Sequence, residues 1–300
     1  MFKIFLTALL LLISVPAFAG EPSEALSPPH AQLSNLTLGN FFTEGWDQEW
    51  AKRSNPEGAP DMSLLHVQTN FLEREFRTDY SNQQNTGSNK TRHINLLNGL
   101  IAYGVDRRVM VEVVSNYQWN SARTGVDSSG TGGALVGRVQ LVDIPGASYA
   151  YNFRVSEPDE GVGVKQTTIS NSLAGWHDLT PLGLKRVGFY YSIQENTYLG
   201  FAKPGSKSND LGYAAAVTKT WTDPNVPVVG NFTTFLEAYG GSDLDGPAHS
   251  KTLNVTPGIH TKLGEDSLGH EHVLMAGVDL PVVHPYPFNV TYRVTYIFDF

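Results

Sequence analysis

Ser170-Asn171-Ser172 with His177 is the nearest approach to a nucleophile and its base in this sequence. A serine nucleophile needs a base within hydrogen-bond reach and a third group to orient that base. Ser172 and His177 are five residues apart in an alternating segment, so on a strand they project to opposite faces and cannot meet directly. His270 and His272 share a parity, with Glu271 between them, but no third ligand accompanies the pair, so a solvated turn edge is expected rather than a metal centre. Asp243-x-Asp245-Gly246 begins like a calcium loop and lacks the later positions, including the closing Glu. Cys is absent, which removes thiolate nucleophiles, thiolate metal sites and a disulfide framework. The sequence therefore predicts no catalytic residue, no metal and no cofactor.

A second kind of chemistry is more prominent. Glu112, Arg138, Arg154, Arg186, Glu237, His260, Lys262 and Arg293 each fall on the polar parity of an alternating segment. Tyr190, Tyr198, Tyr239 and Phe235 fall on the same parity. Charges of mixed sign on one face are held by pairing or hydration, and lining a passage they select solutes. The tyrosines and Phe235 would offer a stacking path for aromatic or hydrophobic solutes, or would pack against a plug. The formal net charge is −8. It becomes −9 when Lys3 leaves with an N-terminal signal, because that segment holds no acid. This acidity disfavours nucleic acid as a partner.

These residues need strands to position them. The closing run, Phe288 to Phe300, places Phe288, Val290, Tyr292, Val294, Tyr296, Phe298 and Phe300 on one parity, with Arg293 on the other. Segments 109–120, 148–156, 186–200 and 251–263 alternate in the same way. Period-two alternation gives a sheet with one apolar and one polar face. About twelve strands are expected, near residues 64–81, 90–104, 109–121, 133–143, 147–156, 167–178, 185–201, 210–221, 229–241, 251–263, 271–281 and 288–300. Each strand with its connection takes about twenty residues, longer than the ~8–12-residue spacing of soluble sandwiches. A tilted membrane strand needs ~9–11 residues in hydrocarbon alone.

Connections near 106–107, 144–146, 180–183, 222–225 and 264–269 are short. Those near 82–89, 122–132, 157–166, 203–209 and 241–250 are on the whole longer and rich in Gly, Ser and Asp, while the last on that side, 283–287 with Pro285 and Pro287, is the exception and is tight. Short connections on one side and long ones on the other are the pattern of a membrane barrel. Ahead of the strands, Met1 to Ala19 has the positive start (Lys3), apolar core and Ala17-Phe18-Ala19 site of a secretory signal. Residues 20–63 are expected as a periplasmic or plug segment, with one short helix over 40–52 carrying Phe41, Phe42, Trp46 and Trp50. Residues 64–300 are expected as the barrel.

The signal, the alternating strands and the closing Tyr292-x-Val294-x-Tyr296-x-Phe298-x-Phe300 resemble a Gram-negative outer-membrane β-barrel of the porin-like kind. A narrower similarity is to the porin-like transporters associated with the meta-pathway of phenol degradation. The resemblance implies an all-β, transmembrane, antiparallel up-and-down barrel in the cell outer membrane. Its partners would be outer-membrane lipid, lipopolysaccharide, the barrel-assembly machinery and a small-molecule solute. Tyr292, Tyr296, Phe298 and Phe300 would face lipid and serve assembly. The implied function is passive or facilitated uptake of small solutes, without enzymatic activity. Two alternatives are a structural barrel with a sealed lumen and an outer-membrane lipid hydrolase, although the His followed closely by Ser-Asn-Gly of outer-membrane phospholipases is missing.

Overall fold

Alternation along the chain becomes a closed wall of twelve strands. The computed structural model describes residues 33–53, 55, 57–86, 92–122, 125–157, 167–199, 209–245, 251–283 and 289–300. The signal segment, residues 20–32 and several outer-loop residues therefore lie outside the described residues. The strands are β1 Arg74–Thr86, β2 Arg92–Gly104, β3 Val109–Ala122, β4 Gly125–Ile144, β5 Ala147–Ser156 and β6 Thr167–Asp178. They continue as β7 Val187–Leu199, β8 Asn209–Thr220, β9 Gly230–Asp243, β10 Lys251–Glu265, β11 Glu271–Val283 and β12 Val290–Asp299. Each pairs antiparallel with its neighbours in sequence, and β1 closes on β12 from Glu75↔Asp299 to Gln84↔Val290. The shortest strands have 10 residues and the longest 20, so each is long enough to cross hydrocarbon.

The outer face carries the apolar parity. Leu135, Phe153, Leu173, Leu236, Tyr292 and Val294 are all exposed there, as an aqueous sheet would not tolerate but lipid favours. Aromatic rings gather near both ends of the wall. Tyr80, Tyr117 and Trp119 cluster toward one end, and Tyr149, His177, Tyr191, Phe298 and Phe300 toward the short-turn end. Tyr292, Tyr296 and Phe300 are exposed and Phe298 half-buried on this outer face.

Three local expectations are corrected. The first strand begins at Arg74, not at residue 64. Residues 64–72 lack ladder partners, and most of their backbone bonds go to side chains inside the barrel. The loop expected over 122–132 is mostly strand, since β4 starts at Gly125 and pairs with β3 from Ala122↔Gly125 to Val109↔Val139. The helix expected over 40–52 is a series of turns and bends. Asn40 explains this. Its Oδ1 accepts from the Thr37 backbone N–H at 2.7 Å, while Gly45 adopts a left-handed φ of 95°, so side-chain bonding and turn geometry displace the helical ladder. No α-helix occurs among the described residues; the one helical turn is a 3-10 turn at Thr180–Leu182.

This bent segment is clamped to the short-turn end of the wall. Leu36 bridges Asp143 through two backbone bonds of 3.0 and 2.9 Å. Arg108, wholly buried, donates to the carbonyls of Glu44, Gln140 and Leu141 at 2.8, 2.9 and 3.0 Å and to Asn40 Oδ1 at 3.1 Å. Its guanidinium also lies 5.0 Å from the Phe41 ring centre. Arg53 and Arg107 share the Asp143 carboxylate at 2.8 and 3.0 Å. Arg108→Ala leaves several buried acceptors unpaired and is expected to cost about 2–4 kcal/mol, read as a lower urea midpoint in detergent. Arg108→Lys is expected to recover less than half of that loss, because a single ammonium cannot reproduce the planar fork of donors.

Candidate lumenal site

The inward parity builds a polar lumen, and the chain ahead of β1 fills the short-turn half of it. Residues 59–73 leave the rim beside β6, run into the barrel and return to start β1. The apolar side of this inner loop, Ala59, Met62, Leu64 and Val67, packs with Trp176, Tyr190, Ala214, Ala216 and Phe235 on β6 to β9. Leu65 packs toward Val273 and Met275 of β11 and Ile297 of β12. Gly277 makes room for it, since a Cβ there would lie 2.5 Å from Leu65 Cδ1.

The loop's backbone is held by side chains from the wall. Asp178 accepts from the Ala59 N–H at 3.2 Å. The Tyr190 hydroxyl donates to the Pro60 carbonyl at 2.7 Å and accepts from the Met62 N–H at 3.3 Å. Arg77 donates to the Leu64 carbonyl at 3.3 Å, and Glu237 accepts from the His66 and Val67 N–H groups at 3.1 and 3.2 Å. Ser192 accepts from the Gln68 N–H at 3.2 Å. Gln140 and Ser148 both donate to the Asn70 carbonyl, at 3.1 and 2.8 Å, and Arg138 donates to that of Phe71 at 2.7 Å. Within the loop, Asn70 Nδ2 bonds Asp61 at 3.1 Å and Ser63 donates to Glu73 at 2.6 Å, which braces its two limbs.

Two ionic groups flank the loop. On one side His66 Nε2 lies 2.9 Å from Asp279, which also accepts from Arg293 at 2.7 Å and Thr256 at 2.8 Å. The His66 ring stacks on Tyr239 with centres 3.6 Å apart. On the other side Arg138 faces Glu112 at 3.5 Å and Glu73 at 3.8 Å and donates to Asn152 at 2.6 Å. Beyond the loop tip a cavity of about 290 Å³ opens, bordered by His66, Glu75, Asn98, Glu112, Arg138 and Arg154.

The residues read from sequence as pore-lining divide by what they touch. Glu112, Arg138, Tyr190, Glu237, Tyr239 and Arg293 point into the lumen and are engaged with the loop or its ionic flanks. Arg154 borders the open cavity and donates to Ser156 at 2.9 Å. Tyr198 points inward near the far end of β7 and donates to Asp210 at 2.6 Å. His260 is buried beneath the loop, and Lys262 donates to Glu271 at 2.9 Å near the short turns. Arg186 is corrected. It precedes β7 with a left-handed φ of 54°, which turns its side chain to Asp223 and the Thr222 carbonyl at the barrel rim and out of the lumen.

His66, Glu75, Arg77 and Asp279 belong to this site and were not singled out by the sequence. The first three fell in the misplaced first strand. Asp279 shares its parity with Val273 and Met275, which are apolar because they pack under the loop.

Catalytic and metal geometries do not assemble. Ser172 is buried on the inward face, whereas His177 bonds Tyr149 at 3.0 Å on the outer one. His272 bonds the Tyr296 hydroxyl at 2.6 Å, and His270 bonds Asp266 at 2.9 Å. Desolvation works to raise the Asp266 carboxyl. The backbone and ring N–H groups of His270, with the Leu268 N–H, outweigh it and hold Asp266 below the usual carboxylate range. Among the described residues no cluster of three His, Cys, Asp or Glu side chains could hold a metal.

Solved structures are similar to the chain. The outer-membrane channel from Pseudomonas putida F1 is 11% identical over 84% of this chain and 100% of its own, with a TM-score of 0.51. The β domain of the Bordetella autotransporter BrkA is 9% identical over 76% and 100%, with a TM-score of 0.46. The KdgM porin solved with disordered oligogalacturonate is 11% identical over 75% and 99%, with a TM-score of 0.42. No family model and no curated protein matches the chain, so the narrower similarity to phenol-pathway transporters gains no support. The chain has the closed, 12-stranded antiparallel barrel of outer-membrane proteins.

The Glu237 carboxyl is a double hold on the loop, because one of its oxygens accepts two adjacent backbone donors. In Glu237→Ala, amide hydrogen exchange at His66 and Val67 is expected to accelerate about tenfold or more while exchange in β9 and β10 is unchanged, each lost tenfold being ~1.4 kcal/mol. Glu237→Gln, which keeps an acceptor oxygen, should fall between the two.

Proposed function

We propose that the chain is an outer-membrane channel for small solutes, closed at its short-turn half by the inner loop of residues 59–73. One observation carries this reading: the lumen wall is polar, and the loop within it is bonded through side chains rather than ladder pairing. A side-chain bond to a carbonyl is exchangeable for water, with a net contribution of about 1 kcal/mol, so such a loop can be displaced where a paired strand could not. Non-strand backbone at membrane depth is tolerated where it is buried in protein or lines water, and the loop meets both conditions in turn.

In this account solute enters the 290 Å³ cavity, meets Arg154, Glu112 and Arg138, and passes when the loop yields. Mixed charges there favour hydrated polar solutes. An aromatic or hydrophobic solute is a narrower reading, supported by Tyr198 and by the Tyr239 face that His66 covers. The short turns lie at the periplasmic side in this reading, and β12 presents Phe300 to the assembly machinery, with lipid and lipopolysaccharide around the outer face.

The second reading, a structural barrel with a sealed lumen, is favoured by the number of bonds that hold the loop. Liposome swelling separates the two. A chain whose mature portion begins at Glu73, and so lacks the loop, is expected to admit a small neutral sugar at least tenfold faster than the full chain. His66→Ala combined with Asp279→Asn should give an intermediate rate. Heat-modifiable migration of each variant certifies the barrel, and a loopless barrel that stays impermeable would leave only the sealed reading.

A further inference from the structure

Three carboxylates stand in one lateral row where the wall closes. Glu271 of β11 is in register with Asp299 of β12, which is in register with Glu75 of β1. All three lie on the inward parity of adjacent strands, about 4.8 Å apart by ladder spacing. Like charges directly opposite one another are unfavourable, so each needs a counter-charge. Glu271 has Lys262 at 2.9 Å, and Asp299 has Lys52 at 3.2 Å. Glu75 is 2% exposed, and its Oε2 has no hydrogen-bond partner. The arginine two residues along on the same face, Arg77, already donates to Asp79 at 2.8 Å and to the Leu64 carbonyl. A buried carboxylate with an empty oxygen must be neutralised by a proton or by a cation.

Space reaches the row from both ends. A pocket of about 50 Å³ lies between the inner loop and the row, bordered by Glu75, Glu271, Asp299, His260 and Lys52, with room for a small ion and water. Glu75 also borders the 290 Å³ cavity on the far side of the loop. Glu271 and Asp299 also border a 220 Å³ cavity at the short-turn end, and Glu73 borders all three. Lys52 stands in this line with its side chain 45% exposed and its ammonium on Asp299, so it is a tethered cation at the end of the row.

We propose that small monovalent cations pass, still hydrated, along the Glu75–Asp299–Glu271 row in the seam between the inner loop and the wall, without a closed coordination site, and that Lys52 is the row's built-in competing occupant. The proposal deepens the channel reading and rests on it. It differs in requiring no displacement of the loop. Cations follow β1 and β12, Glu75 supplies an unpartnered oxygen along the path, and departure of Lys52 from Asp299 opens the short-turn end.

Planar-bilayer recording of the full-length protein in a potassium chloride gradient tests this. The wild-type reversal potential is expected on the cation-selective side. Glu75→Gln should lower the potassium-to-chloride permeability ratio about threefold or more, and Lys52→Ala should raise the cation current by a similar factor. Glu75→Asp should retain selectivity, and Asp299→Asn provides a second arm should Glu75→Gln fail to give a heat-modifiable barrel. A wild-type channel that is unselective or anion-selective overturns the proposal. So does a reversal potential unmoved by Glu75→Gln with a current unmoved by Lys52→Ala, the outcome expected if Glu75 holds only a proton. Absence of current alongside sugar permeation by the loopless chain would overturn the cation seam and leave the channel reading intact. Absence of both would overturn the two together.

Discussion

Every backbone N–H and C=O at membrane depth must find a partner, and that requirement shapes this barrel inside as well as out. The twelve strands meet it by closing β1 on β12, which leaves no edge. The loop of residues 59–73 cannot meet it with a ladder, because the wall has no free strand edge to offer. It is satisfied by inward side chains instead: Glu237 for two donors, and Arg138, Gln140, Ser148 and Tyr190 for acceptors. The lumen's polarity and the loop's position are thus one arrangement. A wall lined with apolar residues could not have held the loop, and an empty wall would have left Glu237 and Arg138 to water or to each other.

Charge pairing follows from the same geometry. A buried ion pair gains little net stability, but removing one partner leaves an uncompensated charge and costs far more. Asp279 joins β11 and β12 to the loop through Arg293 and His66. Arg138 joins β3, β4 and β5 to the loop through Glu112, Asn152 and Phe71. These groups flank the loop tip from opposite walls, so they fix where it stops within the lumen. Arg108 and Asp143 perform the corresponding task at the rim.

Alternation made the wall legible, because lipid on one side and water on the other impose period two on each strand. Strands over 147–156 and 167–178 were readable to the residue, and the aromatic parity of the closing strand named its outer face. The loop was not legible, and the reason is physical. Many of its bonds join positions more than a hundred residues apart, such as Met62 with Tyr190 and His66 with Glu237, and they leave no local pattern. Leu64, Leu65, Val67, Phe71 and Leu72 read as the start of a strand because their apolar character serves packing inside the lumen, which sequence cannot tell from packing against lipid. The parity of Glu112, Arg138 and Glu237 was readable; that these groups grip a backbone was not. Arg186 failed for a smaller reason, since one left-handed residue ahead of a strand redirects its side chain.

The central claim is that the inner loop, held by lumenal side chains, is what closes the barrel to solutes. The chain has no Cys, so a single engineered pair tests it directly. Gln68 Nε2 donates to Gln194 Oε1 at 3.1 Å, joining the loop tip to β7. Sugar-driven liposome swelling would be compared for the Gln68→Cys/Gln194→Cys protein before and after treatment with a short, cleavable thiol cross-linker. The account predicts that cross-linking abolishes solute entry and that cleavage of the linker restores it. Unchanged entry through a fully cross-linked barrel would contradict the claim.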